Sequence, residues 1–366
     1  MDKIKKTTIQ DVADHANVSV GTVDRVIHRR GKVSLAKKEK VEEAITALDF
    51  NPNLLARTLA LGKHFVICSL FPETLNDESY WSLPAKGLKQ SAFDYRDFGI
   101  AIESSQYSLF NEQSFVENAK KILDLNPDGV ILAPLFEKES LLFIKELEKK
   151  RIPYIFIDAN IANQNNLSYI GPDSKGSGHL AGKFMSFLLE DKDPILVINM
   201  VKGLQNSAHV SAAEKGFFDF FEKLDSSNGR KICSLTIPSV RKEDVVRELT
   251  KYYIGNRGTK GVFVTNSKAH LISEFHREHE LDIKLIGFDL VEGNIREMRN
   301  GSIDFLISQS PIFQAYRAVQ QFFDFFVYKN SPAPLEHVPL DIIAQENIEY
   351  YLNSRQLIEN HKKQIK

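Results

Sequence analysis

Two cysteines, one tryptophan and four methionines are all that 366 residues contain of those types, and no apolar run reaches the roughly 18 residues a membrane helix needs. Cys68 and Cys233 stand far apart, each inside an apolar strand-like run. That fits reduced, buried thiols rather than a disulfide framework or a metal site. The opening stretch MDKIKKTTIQD begins basic but has no apolar segment behind it, so it does not read as a secretory signal and the chain reads as cytoplasmic. Also missing are a P-loop, a G-x-S-x-G elbow, an H-E-x-x-H pair, a G-x-G-x-x-G turn and any metal-like Cys/His spacing. No enzymatic activity, cofactor or metal is therefore expected. A large charge of either sign is lacking too, since the formal net charge is -1. The balance is uneven along the chain, however: residues 1–63 carry 12 Lys and Arg against 8 Asp and Glu, and the remainder 35 against 40. A contact with nucleic acid belongs, if anywhere, to the N-terminal segment.

What is present is the composition of an ordinary globular protein, 43% hydrophobic and 26% charged, long enough for two or three compact units. Residues 9–28, IQDVADHANVSVGTVDRVIH, read as two short helices around a tight turn. Val12, Ala13 and Ala16 form one apolar face at helical spacing and Val18, Val23, Val26 and Ile27 the facing one. Asn17 stands where the turn asks for a left-handed residue, and Ser19 is placed to cap the second helix. A bland helical hairpin would show the same two faces. The polar outer face favours a helix-turn-helix, in which Val20, Gly21, Thr22 and Arg25 point into the major groove. Arg25 can pair with guanine and Val20 can touch a thymine methyl, with His28, Arg29, Arg30 and Lys32 placed for phosphates. A third helix is expected from the cap Ser34, with Val41, Ala44, Ile45 and Leu48 closing a small core.

The stretches TIQDVADHANVSVGTVDRVIH and, some thirty residues on, PNLLARTLALGK resemble the two signatures of the lactose-repressor (LacI/GalR) family of bacterial regulators. The resemblance implies a headpiece over residues 1–50 that binds double-stranded operator DNA as a homodimer, followed by a hinge helix and linker over 51–63. It places Thr8, Ser19, Val20, Gly21, Thr22, Arg25, His28, Arg29, Asn53, Ala56, Arg57 and Leu59 at the DNA, with Leu59 wedged into the minor groove. Asp24 and His28 depart from the family's usual Ser and Asn, so contacts at those positions do not carry over.

Beyond Lys63 short apolar strands alternate with amphipathic helices. The strands read HFVICSLF, GIAIES, GVILAP, PYIFIDA, LSYIG, PILVINM, CSLTIP, GVFVTN, KLIGFD and DFLISQ. Such alternation predicts parallel sheets covered by helices on both faces, in two similar α/β lobes. The family resemblance extends here to a two-lobed type I periplasmic-binding-protein fold over 64–352, carrying the effector site and the dimer contacts, with a polar tail over 353–366. The chain is expected to cross between lobes near 160–174, near Leu290 and near Ser310. In open α/β sheets ligands meet the carboxyl ends of strands, where Asp158, Asp173, His209, Asn266, Asp289 and Gln309 lie. By position Tyr80 and Trp81 match the aromatic pair that stacks on a sugar in the relatives. These eight residues form the expected effector site, and its polar character suits a sugar. Two positions depart: Ala213 stands where relatives have a sugar-clamping Arg, and Ser267 where they have Asp. His209 or Lys202 would have to compensate, or the effector is a nucleobase, a sugar phosphate or a protein corepressor. A sugar-modifying enzyme and a transport-associated binding protein are the remaining rivals. The phenylalanines at 217–221 and 322–326 have the spacing of core packing.

Overall fold

The computed structural model describes residues 7–27, 31–48, 50, 64–74, 79–200, 207–224 and 229–353, and the chain divides into two compact units. In the first unit a capping box opens helix α1 (Ile9–His15): the Asp11 amide donates to Thr8 Oγ1 at 3.3 Å and the Thr8 amide to Asp11 Oδ2 at 2.7 Å. This pairs two donors that the start of a helix would otherwise leave unmet. Asn17 takes the turn at φ 50°, and Ser19 Oγ accepts from the Thr22 amide to cap α2 (Val20–Ile27). Helix α3 (Leu35–Ala47) follows Ser34, whose carbonyl takes the first helical bond while its hydroxyl makes no capping bond. Val12, Ala13, Ala16, Val23, Val26, Val41, Ala44 and Phe50 form one buried cluster. The helix-turn-helix pattern therefore has a core of its own.

All ten expected strands form: β1 (Phe65–Pro72), β2 (Ile100–Tyr107), β3 (Gly129–Leu132), β4 (Tyr154–Ile157), β5 (Ser168–Gly171), β6 (Ile195–Met200), β7 (Ile232–Ile237), β8 (Gly261–Val264), β9 (Lys284–Phe288) and β10 (Phe305–Ser308). Two three-residue strands join them, β11 (Leu335–His337) and β12 (Asp341–Ile343). Their sheets run β11-β5-β4-β3-β1-β2 and β12-β10-β9-β8-β6-β7. The two orders are one motif used twice. The pairs β11–β5, β5–β4, β4–β3 and β3–β1 in one sheet and β10–β9, β9–β8, β8–β6 and β6–β7 in the other are parallel, and β10–β12 is antiparallel.

Between the strands run α4 (Ser82–Tyr95), α5 (Glu112–Leu125), α6 (Glu137–Lys149), α7 (Ser174–Leu188), α8 (Ser207–Leu224), α9 (Lys242–Gly255), α10 (Ala269–Glu278), α11 (Glu292–Arg299) and α12 (Pro311–Phe323). Sheet membership corrects one expected crossing. β9 and β10 are neighbours in one sheet, so the chain does not change sheet near Leu290. It changes after β5, again between β10 and β11, and a third time within the three residues between β11 and β12.

Small residues let α7 and α8 touch backbone to backbone. A Cβ at Gly178 would lie 1.7 Å from the Ala213 carbonyl oxygen, and one at Gly216 1.9 Å from that of Lys175. Phe217 continues the contact inward, stacked on Phe263 of β8 at 4.8 Å. The phenylalanines expected to be core are so at Phe217, Phe221, Phe322, Phe323 and Phe326. Gly178→Ala is expected to force the two helices apart and destabilise the fold by about 1–3 kcal/mol. An unchanged midpoint of urea unfolding would show that the crossing yields without strain.

Cys68 is buried in β1, where burial pushes its thiol up to about 11, while Cys233 is only half-buried. Both thiols are free, and the expected burial holds fully for the first alone. No helix among the described residues is long and apolar enough to cross a membrane.

Candidate functional site

On the helix-turn-helix, Thr8 and Ser19 are engaged as caps, and the Ser19 hydroxyl also meets Thr22 Oγ1 at 3.0 Å. Val20 packs partly against the small core. Gly21 and Arg25, one helical turn apart, are the exposed pair on α2. A side chain at Gly21 would meet nothing nearer than Ser19 Oγ at 4.0 Å, so its absence reflects no packing need. His28, Arg29, Asn53, Ala56, Arg57 and Leu59 lie outside the described residues, as does Lys202.

A cavity of ≈ 330 Å³ opens at the carboxyl ends of strands from both sheets. Seven of the eight expected effector residues line it: Tyr80, Trp81, Asp158, His209, Asn266, Asp289 and Gln309. Asp173 does not. It is exposed and caps α7, accepting from the Gly176 amide at 2.9 Å, which is the other common use of an Asp just past a strand.

Asp158 and Asp289 hold equivalent places in the two lobes. Each follows a strand, β4 or β9, with positive φ (66° and 62°). Each amide donates to a carbonyl on the next strand, Asp158 to Ile170 and Asp289 to Ile307. Non-glycine residues seldom adopt such φ, and it persists only where the surroundings over-determine it. Here those surroundings are polar. Gln314 Oε1 takes a second bond from the Asp158 amide at 2.9 Å, and Asn294 Nδ2 donates to the carbonyls of Phe288 and Asp289.

The side chains interlock as well. Tyr80 donates its hydroxyl to Asp158 Oδ1 at 2.6 Å. Asp289 accepts from both the Gln309 amide and Gln309 Nε2, each at 3.0 Å. Ser174 Oγ pairs with His209 Nδ1 at 2.6 Å. Asn266 Nδ2 donates to the Met200 carbonyl. Burial raises the Asp158 carboxyl above its ordinary value, with His209 and the Tyr80 hydroxyl opposing the rise. Burial lowers the His209 imidazole, opposed by Asp158 and Gln309, and raises the Tyr80 phenol, helped by Asp158 and Asp289.

Trp81 is only 5% exposed and packs against Phe71 at 5.8 Å and edge-on to Tyr80 at 5.2 Å. It is therefore covered before any ligand arrives. Ala213, where relatives carry the clamping arginine, is fully buried at the α7–α8 crossing and does not line the cavity. The face of α8 that meets the cavity is that of His209 and Val210. Two charged lining residues escaped the sequence reading, Glu73 just past β1 and Lys268 just before α10. The strand-end rule that singled out Asp158 would have found Glu73.

Residues 68–326 match the periplasmic binding protein domain, and residues 8–53 the bacterial regulatory proteins of the lacI family. The chain is 25% identical over 292 residues to the ribose operon repressor of Halalkalibacterium halodurans, spanning 77% of this chain and 80% of that one. It is 28% identical over 211 residues to catabolite control protein A of Priestia megaterium, spanning 55% and 60%. Among solved structures, a putative LacI transcriptional regulator from Bacteroides fragilis aligns over 79% of this chain and all of its own, at 27% identity and a TM-score of 0.74. A glucose-galactose binding protein from Geobacillus stearothermophilus shares the fold at 20% identity and a TM-score of 0.68, over 78% and 99%. With a helix-turn-helix that has its own core and a two-lobed α/β domain with a cavity at its strand ends, the chain belongs to the lacI family of DNA-binding transcription regulators and carries that family's periplasmic-binding-protein domain.

Proposed function

We propose that the chain binds a near-palindromic operator as a homodimer and that a polyhydroxylated small molecule, most simply a sugar, sets its operator affinity from the cavity. The observation that carries this reading is the convergence of strand ends from both sheets on one ≈ 330 Å³ space with Tyr80, Trp81, Asp158, Asp289 and Gln309 around it. Hydroxyls both donate and accept, so they suit a lining of carboxylates, amides and aromatic rings. A ligand touching both lobes stabilises one relative placement of them over others, and that differential is what can act on a headpiece elsewhere in the chain. A ribose operon repressor among the relatives agrees with a sugar.

The test begins with DNA. Selection from a random pool followed by titration should return near-palindromic sites whose affinity falls steeply with salt, through release of counterions from the phosphates. Arg25→Ala is expected to cost about 1–3 kcal/mol and to relax preference at one base pair per half-site, since Arg25 is the exposed long donor of α2. Uniform weakening on all sequences would move Arg25 to the phosphates instead. Sugars are then added to the selected complex. If none of a broad set changes operator affinity, the polyol reading fails while the regulator stands.

A further inference from the structure

Resting on the cavity as the effector site, we infer that its ligand is rich in hydrogen-bond donors and carries a positive charge, as an amine-bearing polyol does, and that phosphorylated or carboxylated ligands are rejected. Among the described residues, three carboxyl groups line the space, on Glu73, Asp158 and Asp289, beside one lysine, Lys268. No arginine lines it among the described residues, because the candidate position, Ala213, is sealed in the helix crossing. The imidazole of His209 is kept neutral by burial and offers no compensating charge at pH 7.

Hydrogen bonding points the same way independently of charge. The Tyr80 hydroxyl is engaged by Asp158, Asn266 Nδ2 by the Met200 carbonyl, and Gln309 Nε2 by Asp289. Those donors face protein acceptors. Gln309 is 3% exposed, yet its Oε1 is buried without a hydrogen bond. An unmet buried acceptor costs free energy that a ligand N–H or O–H would recover. A phosphate or carboxylate group itself offers only acceptors and would meet carboxyl groups and an amide oxygen there. An ammonium meets what is missing. The apolar remainder of the wall, including Leu109, Leu135 and Met200, would cover the carbon skeleton.

Two measurements on the full chain test this. The first is thermal shift with matched hexoses: glucosamine, galactosamine and mannosamine against their neutral, 6-phosphate and uronic acid counterparts. The amino sugar should bind roughly tenfold more tightly than its neutral counterpart, as charged hydrogen bonds exceed neutral ones, and the anionic members should give no shift. An anionic member that stabilises as well as an amine overturns the inference and leaves the effector cavity intact. The second measurement probes charge without a sugar. Ethanolammonium chloride should raise the melting temperature more than sodium glycolate at equal ionic strength, and the Asp158→Asn and Asp289→Asn variants should each narrow that gap. Glycolate equal to or better than ethanolammonium overturns the inference even if no sugar binds. If no hexose shifts the melting temperature while ethanolammonium still wins, the polyol reading fails and the charge preference stands.

Discussion

Asp289→Asn is expected to weaken the effector about 100-fold while leaving the fold within about 1 kcal/mol of the parent, the loss being that of a charge-assisted hydrogen bond. The reason lies in the pair that Asp289 makes with Gln309. In the parent both carboxylate oxygens accept, one from the Gln309 amide and one from Nε2. Asn keeps the first bond, but its Nδ2 would face a second donor. Rotating the Gln309 amide by half a turn restores the pair and points an N–H into the space where Oε1 stood unmet. The fold is thus rescued at the expense of the site, which loses a negative charge and exchanges an acceptor for a donor. Asp289→Ala is a poorer probe. It leaves two Gln309 donors unpaired in a buried place and puts alanine at φ 62°, each costing on the order of 1–3 kcal/mol. Denaturant midpoints and ligand titration of the operator complex separate the two outcomes. Equal ligand affinity in Asp289→Asn would remove Asp289 from the ligand's contacts. Operator affinity without ligand should be unchanged, because the three headpiece helices are held by their own apolar cluster.

Trp81→Ala is expected to cost about 3–5 kcal/mol of stability, as truncation of a large buried aromatic generally does, and to lower the melting temperature by roughly 10 °C in a domain of this size. The indole is 5% exposed and wedged between Phe71 and Tyr80. Removing it opens a void beside the ring whose hydroxyl holds Asp158. Ligand affinity should fall as well, through displacement of Tyr80 as much as through lost stacking. Trp81→Phe distinguishes these effects by keeping most of the packing. It should recover most of the melting temperature, and any ligand defect that remains belongs to the indole itself. Since the indole is covered before binding, ligand should quench or modestly shift its emission rather than carry it from a wet to a dry environment. A melting temperature unchanged in Trp81→Ala would mean that the pocket around residue 81 collapses without cost.

The headpiece was legible because its signals are local. An Asn at a left-handed turn, a Ser one residue before a helix and apolar residues at helical spacing each act within a few residues, so they look the same in the chain as in the fold. The ten principal strands were legible for a related reason: buried on both faces, they read as short continuous apolar runs between helix-length segments. β11 and β12, three residues each and half exposed, are too short to leave such a mark. With them went the crossing between β11 and β12, for which a crossing near Leu290 had stood in.

The site divides along the same line. Position just past a strand marked Asp158, Asp289 and Asp173 alike, since a carboxylate there can serve a cavity or cap the next helix, and both uses ask for the same residue in the same place. Asp173 went to the cap. Likewise a short segment of α8 can set His209 at a cavity and bury Ala213 under a neighbouring helix. Nothing within the segment says which residue faces where, because the choice rests on Gly178 of α7 allowing backbone contact. Local chemistry is written in neighbouring residues and survives reading in one dimension. The meeting of Asp158 with Tyr80, the burial of Trp81 and the unmet oxygen of Gln309 depend on pieces separated by many residues, and only the order in which the strands assemble brings those pieces together.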